Sequence, residues 1–348
     1  MLPRADGVRY EEAAEDLRKH YETTGERGAK EAARRFAHLD RFFRGRRLAS
    51  LSGADVTAYV AQRQGEEIVT GEGEATRRRA PAAGTINREL GVLGKILRLA
   101  YRHNKLARVP AFSCLKEAAP RQGFFEREQF ESVRRRLPDD LKVVVTIAYT
   151  YGWRVPSEVL TLERRQLDLE AGTLRLDLGA TKNDDGRIVY LTRELRAMLT
   201  AQVGRVQTLE RELGRIIPYL FPHLTSTCRT PGCGRTHGHL GERRTKLRKV
   251  WHTACRRAGV PGKIPHDFRR TAVRNLERAA VLRSVAMKIT GHRTEGVYRR
   301  YAIVSDADLR EASERLTGTI PGTVAGRDAI LAAREDGKSG SYTAGFTG

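Results

Sequence analysis

Two tyrosines near the C-terminal end of the sequence could supply a nucleophile. The stretch GHRTEGVYRRYAIVS, residues 291–305, holds His292, Tyr298, Tyr301 and three arginines. Tyrosines three positions apart would lie on one face of a helix, where their rings usually pack and their hydroxyls reach water. A phenol has a pKa of about 10, so it attacks efficiently only when cations and a base surround it. The stretch is therefore either a packing helix or part of an active site.

Four other positions could supply those cations and bases. A proline before His266 marks a helix start, which would place His266 and Arg269 on one helix face as an oxyanion or phosphate site. Arg154 stands directly before a helix-breaking Val-Pro pair and would face a cleft there. Lys182 lies in GATKNDDG, a loop between two strand-like segments. In a chain with 52 arginines and 9 histidines, each of these alone has an ordinary structural explanation.

The N-terminal part carries the pattern of helices. Apolar residues recur every three or four positions in RYEEAAEDLRKHYETTG and GAKEAARRFAHLDRFF, and LSGADVTAYVAQRQ follows with a serine before a short helix. A fourth segment carries one apolar stripe, made of Ile86, Leu90, Leu93, Leu97 and Tyr101. Four such helices predict a small bundle over residues 1–108. Prolines and a glycine then break the periodicity and predict a linker over 109–123.

A second domain is predicted over residues 124–317, helical at both ends with strands between. GTLRLDL and GRIVYLT alternate apolar and polar residues and predict an antiparallel hairpin, and RELRAMLTAQVGRVQTLEREL predicts a long helix. Residues 318–348 are rich in glycine and poor in core residues, which predicts a flexible tail. The predicted fold class is mainly α with a small antiparallel sheet.

The charge balance favours a polyanionic partner, and double-stranded DNA is the first choice. The chain has 64 basic and 42 acidic residues, a net charge of +22. GC-rich coding explains why arginine outnumbers lysine, but it does not explain the excess over acid. Residues 77–108 hold nine Lys or Arg and a single acid, Glu89, and residues 241–275 hold eleven against two. Both stretches are predicted to follow phosphates, the alternative being an ordinary solvated face.

Other features of the sequence indicate where the protein is located and whether it binds a metal. No signal peptide or membrane span is recognised, and four cysteines are too few for a disulfide framework, so we expect a cytoplasmic protein. Within residues 221–242 the ligand types Cys, Cys, His and His come close to zinc spacing, at Cys228, Cys233, His237 and His239. We expect an incidental surface loop and no metal; a small structural zinc site is the alternative.

Taken in order, the candidate residues resemble the catalytic set of the tyrosine recombinase (phage integrase) family. They are Arg154, the hairpin residue Lys182, His266 with Arg269, His292, and Tyr301 nine residues after that histidine. Residues 8–110 resemble the family's helical core-binding domain, a SAM-like bundle, and APRQGFFEREQFESV resembles its linker and the start of its catalytic domain. The resemblance implies a core-binding bundle followed by an α+β catalytic domain.

The resemblance also implies the chemistry of the site. Tyr301 would attack a DNA phosphate, form a 3′-phosphotyrosine and release a 5′-hydroxyl. His266 would assist transfer of the Tyr301 proton, and His292 would donate a hydrogen bond to the phosphate.

The cations of the set would act on the phosphate and on the leaving group. Arg154 and Arg269 would hold the non-bridging oxygens in the transition state, and Lys182 would protonate the leaving oxygen. Because these groups supply the charge that a metal would supply elsewhere, no cofactor is expected.

Two details of the resemblance need interpretation. Tyr298 is six residues from His292 whereas the family's usual step is nine, so Tyr301 is the predicted nucleophile and Tyr298 a packing or DNA-contact residue. The family's usual acid stands three residues after the first arginine, but here Glu158 stands four after Arg154. This indicates a one-residue insertion at the helix junction, which weakens Glu158 as a partner of Arg154.

The predicted function is that of a site-specific DNA recombinase, an integrase acting in integration or excision of a mobile element. We expect a homotetramer assembled on DNA, no membrane or small-molecule partner, and a nucleoid-associated location in a bacterium or as a phage product. Two alternatives are a type IB topoisomerase-like enzyme that relaxes DNA and a non-catalytic DNA-binding protein with the same fold. Covalent capture of DNA on Tyr301 would separate the enzymes from the binding protein.

Overall fold

The computed structural model describes residues 7–26, 28–70, 77–119, 123–179, 186–225, 240–302 and 306–317. The chain separates into two units, residues Met1–Arg121 and Gln122–Gly348. The predicted domain limits 1–108, 109–123, 124–317 and 318–348 stay predictions, and the predicted tail lies outside the described residues.

The first unit contains the four predicted helices and one short ribbon that was not predicted. The helices are α1 (Tyr10–Thr24), α2 (Ala29–Phe43), α3 (Gly53–Gly65) and α4 (Ala83–Arg102). Between α3 and α4, β1 (Ile68–Thr70) pairs with β2 (Arg77–Arg79) in antiparallel register. Three consecutive arginines show no apolar alternation, so the sequence pattern gave no strand signal for β2.

Helix α4 lies at the centre of the bundle, packed against both α1 and α2. Its burial therefore extends well beyond the predicted stripe and includes Val92, Ile96 and Leu99. Tyr101, predicted within that stripe, is 53% exposed. It lies about 60° around the helix from Ile86 and on the last turn, where the packed face ends.

The exposed face of α4 is basic along its length. Its exposed charged side chains are Arg88, Lys95, Arg98 and Arg102. These positions recur every three, four or seven residues and so form one row. Glu89, the single acid of residues 77–108, is turned inward and is 1% exposed. Four of the nine basic residues of this stretch thus lie on one face of α4.

Glu89 is held by a buried ion pair inside the bundle. Its two carboxylate oxygens accept hydrogen bonds from Arg63 Nη2 at 2.8 Å and Arg63 Nε at 2.9 Å. The Tyr59 hydroxyl donates to the same carboxylate at 2.6 Å. This two-point geometry joins α3 to α4 and satisfies both charges away from water.

Replacing Glu89 by Ala is expected to destabilise the first unit by about 3–5 kcal/mol, because Arg63 loses its buried partner. Both tryptophans, Trp153 and Trp251, lie in the second unit. Tryptophan fluorescence therefore reports on the second unit, and the stability of the first unit is measured by hydrogen exchange of the α3 and α4 amides in urea. Glu31→Ala on the surface of α2 is the matched control. The prediction would be wrong if Glu89→Ala lowered the free energy of unfolding no more than Glu31→Ala does.

The second unit is helical around a three-stranded sheet. Its elements are α5 (Arg127–Arg134), α6 (Asp139–Tyr151), β3 (Leu167–Asp168), β4 (Thr173–Leu176), β5 (Arg187–Tyr190), α7 (Arg193–Leu213), α8 (Arg248–Arg257), α9 (Asp267–Arg278), α10 (Arg283–Thr290), α11 (Glu295–Arg299) and α12 (Asp306–Thr317). The predicted hairpin of β4 and β5 and the long helix α7 are confirmed. The sheet has the order β3-β4-β5 and is antiparallel throughout, and the two-residue β3 was not predicted.

The core of the second unit fixes the start of α9, where two candidate residues lie. Phe268 is fully buried and stacks on Phe125 with ring centres 5.0 Å apart. It also meets Trp251 edge to face at 5.2 Å. Since α6 packs against α9 and α9 against α10, the three helices hold the ends that carry Arg154, Arg269 and His292 in fixed positions.

Candidate active site

Arg154 stands at the start of a π-helical turn formed by Val155–Val159. The amides of Val159 and Leu160 donate to carbonyls five residues back, at 3.1 Å and 2.9 Å. A π turn holds one more residue than an α turn, and such turns are frequent at functional sites. This turn accommodates the one-residue insertion predicted between Arg154 and Glu158.

The π turn brings Glu158 directly onto Arg154, contrary to the expectation that the insertion weakens this pairing. Arg154 Nη1 donates to Glu158 Oε1 at 2.5 Å, and the Arg154 amide donates to Oε2 at 2.7 Å. Glu158 is fully buried, whereas the Arg154 side chain keeps 26% of its surface exposed. The carboxylate therefore fixes the arginine from below and leaves its outer edge open.

Arg269 lies in the first turn of α9 and is 2% exposed. Its Nη1 donates to the carbonyl of Gly152, which ends α6, at 2.9 Å, and its Nε donates to His292 Nε2 at 3.1 Å. Burial, and then the charge of Arg154, lower the pKa of Arg269 to about 10. The guanidinium therefore stays charged at neutral pH.

His292 follows the glycine that ends α10, as predicted, and is 6% exposed. The Thr290 hydroxyl donates to the carbonyl of Ala286 at 2.8 Å, so we assign His292 Nδ1 as the donor to Thr290 Oγ1 at 2.7 Å. Burial, followed by the charges of Arg269 and Arg154, lowers the pKa of His292 to about 3. Its neutral Nε2 accepts from Arg269, so donation to a phosphate would require both the loss of that bond and a proton on Nε2.

Tyr301 and His266 meet above Arg269. The Tyr301 hydroxyl lies 3.4 Å from His266 Nε2, and the Arg269 guanidinium carbon lies 5.7 Å from the centre of the Tyr301 ring. The His266 imidazole keeps an exposed edge; desolvation by the protein on its other side, and then the charges of Arg269 and Arg270, lower its pKa. A neutral imidazole beside a phenol is the arrangement in which a proton can pass to the nitrogen.

The two tyrosines of the C-terminal stretch differ sharply in environment. Tyr298 is fully buried in a cluster with Val273 and Ala286, and burial raises the pKa of its phenol. Tyr301 is partly exposed, and its ring centre lies 4.9 Å from that of His292. Only the Tyr301 hydroxyl therefore shares an accessible space with His266 and Arg269.

The structure thus brings together five of the six predicted residues, namely Arg154, His266, Arg269, His292 and Tyr301. Lys182 lies outside the described residues, as do Cys228, Cys233, His237 and His239. Within the described parts of the chain, His, Cys, Asp and Glu form no cluster of three or more that could hold a metal ion.

One residue at the site was not singled out from the sequence. Arg187, the first residue of β5, is 7% exposed and donates from Nη2 to Glu158 Oε1 at 2.7 Å. It sits five residues after Lys182 in a strand whose alternation places it on the inner face. That inward position is the one sequence signal that could have indicated it, because a buried arginine requires a partner.

The basic stretch 241–275 divides between surface and interior. Its exposed cations are Arg243, Lys246, Arg248, Lys249, Arg256 and Arg257. Arg244, by contrast, pairs with the buried Asp140 at 2.9 Å, and Arg269 and Arg274 are buried. The predicted phosphate-following surface of this unit is therefore confined to the loop before α8 and to α8 itself. None of the described helices is long and apolar enough to cross a lipid bilayer.

Comparison with known families identifies this arrangement. The sequence pattern of the Phage integrase family matches residues 127–308, which is more than half of the chain and includes every site residue described above. The chain belongs to the phage integrase family, and its class is that of the tyrosine-type site-specific recombinases. No curated protein matches the sequence.

Solved structures of integrases and recombinases share the fold. The Tn1549 transposon integrase in complex with a circular intermediate DNA has a TM-score of 0.60 at 14% identity, over 89% of this chain and 100% of that chain. A lambda integrase dimer bound to a core site gives 0.60 at 12%, over 85% and 77%. The XerH recombinase bound to a palindromic substrate gives 0.55 at 16%, over 79% and 74%. The predicted family and fold class are confirmed.

Proposed function

We propose that this chain cleaves and rejoins double-stranded DNA at a specific site, with Tyr301 as the nucleophile. The observation that carries the proposal is the placement of the Tyr301 hydroxyl beside a neutral His266 and above the buried cation Arg269. In the reaction, the Tyr301 oxygen forms a bond to the scissile phosphorus while the bond from phosphorus to the 5′-oxygen breaks. The phenolic proton passes to His266 Nε2, and the product is a 3′-phosphotyrosine with a free 5′-hydroxyl.

The arginines would stabilise the charge that develops on the non-bridging oxygens. Three N–H groups of Arg269 donate to Gly152, Gly291 and His292. Its remaining N–H groups would donate to the phosphate. Arg154 would bind from the other side with the edge that Glu158 leaves open. Lys182, assigned from the family resemblance alone, would protonate the leaving 5′-oxygen. The phosphotyrosine conserves the energy of the phosphodiester, so religation needs no nucleotide.

The partners follow from charge and from the fold relatives. The basic row of α4 and the exposed cations of α8 supply phosphate contacts, and the relatives include DNA complexes of a transposon integrase and of lambda integrase. We assign integration or excision of a mobile element as the biological role and a tetramer on DNA as the active assembly. Leu309 and Leu316 of α12 are 61% and 59% exposed, which favours docking of this helix on a neighbouring protomer. The nucleoid-associated cytoplasmic location stays a prediction.

Covalent capture tests the proposal and identifies the DNA site. Sheared genomic DNA from the organism carrying the gene is incubated with the protein, and adducts that survive detergent are sequenced at the linked end. We expect adducts at one sequence, joined through a 3′-phosphate. A protein that binds DNA without any adduct would overturn the proposal in favour of the binding-protein alternative. Relaxation of a plasmid without recombination between two captured sites would favour the topoisomerase-like alternative.

The rate of cleavage should fall in acid only below the pH at which an ordinary histidine becomes protonated. His266 must be neutral to accept the phenolic proton, and its pKa lies below the ordinary 6.5. Single-turnover cleavage of a nicked duplex should therefore keep more than half of its plateau rate at about pH 6.5 and lose the rest at lower pH. His266→Gln should lower that constant rate by about 10²-fold. A rate that has already fallen to less than half of its plateau at about pH 6.5 would contradict the assignment.

A further inference from the structure

Arg187 is a buried cation that the proposed chemistry does not use. It begins β5, five residues after Lys182 in the sequence, and its side chain is 5% exposed. Burial of an arginine is costly unless its N–H groups are paired. The pairing of Arg187 therefore indicates what the residue does.

Each branch of the Arg187 fork reaches a different segment of the active site. Nη2 donates to Glu158 Oε1 at 2.7 Å, the same oxygen that accepts from Arg154 Nη1 at 2.5 Å. Nη1 donates to the carbonyl of Thr290 at 3.0 Å. Thr290 in turn holds His292 through its hydroxyl at 2.7 Å. One side chain thus connects β5 to the Arg154 turn and to the His292 turn.

The surroundings of Arg187 fit this double contact. Its guanidinium carbon lies 5.6 Å from the centre of the Trp153 ring, which supports the flat group from one side. A Cβ placed on Gly291 would lie 2.5–2.8 Å from the Arg187 guanidinium, so the guanidinium passes over bare backbone there. Gly291 also has φ +70°, a left-handed conformation in which glycine is favoured.

Arg187 also governs the charge of Glu158. Burial by itself would raise the pKa of this carboxyl, but the Arg187 charge, followed by the Arg154 amide and the Arg154 charge, lowers it overall. The ionised Glu158 is shared between two guanidiniums. Without Arg187, burial would raise the pKa of Glu158, and a protonated carboxyl would hold the Arg154 guanidinium less firmly.

We infer that Arg187 is a positioning residue for DNA cleavage, which holds Arg154 through Glu158 and His292 through Thr290. This inference rests on the proposed function. Arg187 would affect stabilisation of the phosphate and would play no part in protonation of the leaving group.

The test compares two substrates built on the captured DNA site. One nicked duplex carries the natural phosphodiester, and the other carries sulfur in place of the leaving 5′-oxygen. A thiolate leaves without a proton, since thiol pKa values are about 8.5, so the sulfur substrate compensates for defects in leaving-group protonation only. Arg187→Met is compared with Arg187→Lys, which keeps the charge but not the fork. Arg175→Met, an exposed arginine on the adjacent strand β4, is the matched control.

We expect Arg187→Met to lower single-turnover cleavage of the natural substrate by about 10²-fold, the loss typical of a small misplacement of catalytic groups. DNA affinity should stay close to that of Arg175→Met, which should cleave at the wild-type rate. The Tm of Arg187→Met should fall, because Glu158 and the Thr290 carbonyl each lose a buried partner, so cleavage is measured well below that Tm. Arg187→Lys should recover part of the rate, because one ammonium can satisfy one of the two partners. The sulfur substrate should leave the Arg187→Met defect in place.

Several outcomes would overturn the inference. The first is cleavage at the wild-type rate by Arg187→Met or by folded Arg187→Lys. The second is full recovery of the Arg187→Met rate on the sulfur substrate. The third is a loss of cleavage that is explained by an equal loss of DNA affinity. Failure of both variants to fold would make Arg187 a structural residue and would overturn it as well. If the wild-type protein itself forms no adduct, the proposed function fails first. If the wild type forms the adduct and Arg187→Met cleaves at the wild-type rate, only this inference is wrong and the proposed function stands.

Discussion

Tyr301→Phe is expected to abolish formation of the covalent protein–DNA adduct, with a loss of at least about 10⁴-fold, because phenylalanine carries no oxygen that could bond to the phosphorus. DNA binding should persist, since the ring is retained and the substitution removes one hydroxyl. The measurement is adduct formation on a nicked duplex of the captured site, followed by gel electrophoresis under denaturing conditions. DNA affinity is measured in parallel by equilibrium binding.

Tyr298→Phe is the matched control for this experiment. Tyr298 is three residues away and fully buried, and burial raises the pKa of its phenol. Its ring packs edge to face on His292 with centres 5.4 Å apart, a contact that Phe preserves. We expect adduct formation at close to the wild-type rate. Loss of the adduct in Tyr298→Phe together with its retention in Tyr301→Phe would reverse the assignment of the nucleophile.

The second large effect is expected at Arg269. Arg269→Lys keeps a positive charge but loses the planar fork, whose Nη1 reaches Gly152 at 2.9 Å and whose Nε reaches His292 at 3.1 Å. We expect cleavage to fall by about 10³-fold, the upper range for loss of one preorganised donor group at a developing oxyanion. Single-turnover cleavage at saturating protein measures the chemical step separately from DNA binding.

Arg278→Lys at the exposed end of the same helix is the control for Arg269→Lys. Its side chain is 35% exposed, and we expect less than about a twofold change in cleavage. If Arg269→Lys cleaves at more than a tenth of the wild-type rate, rigid placement of that guanidinium is not required. The role assigned to the bonds with Gly152 and His292 would then be wrong.

The residues predicted from the sequence and the one that was missed differ in the kind of signal they leave. His292 and Tyr301 stand at a characteristic spacing after a helix-ending glycine, so local pattern and family resemblance both indicated them. Arg187 is one of 52 arginines, and its role depends on contacts with Glu158 and Thr290, 29 and 103 residues away along the chain. No local pattern encodes such a contact.

Glu158 and Glu89 show how tertiary contacts changed expectations that were drawn from pattern. The extra residue between Arg154 and Glu158 was recognised in the sequence, but its consequence depended on backbone geometry. A π turn absorbs it and keeps the pair together. Glu89 was counted as the one acid on a basic surface, yet Arg63, 26 residues away, draws it into the core. Helical periodicity predicted α4, whereas its burial on further faces depended on which helices surround it.

The glycine that ends α10 constrains the order in which this active site can change during evolution. A side chain at position 291 would have to displace the Arg187 guanidinium, which lies 2.5–2.8 Å from where a Cβ would stand. A lineage that replaces Gly291 first would displace the Arg187 guanidinium and lose the left-handed turn in one step. A lineage that shortens residue 187 first would free the space, and Gly291 would then be held by backbone conformation alone. A change at position 291 is therefore expected only in descendants of this chain in which position 187, 104 residues away, has already changed.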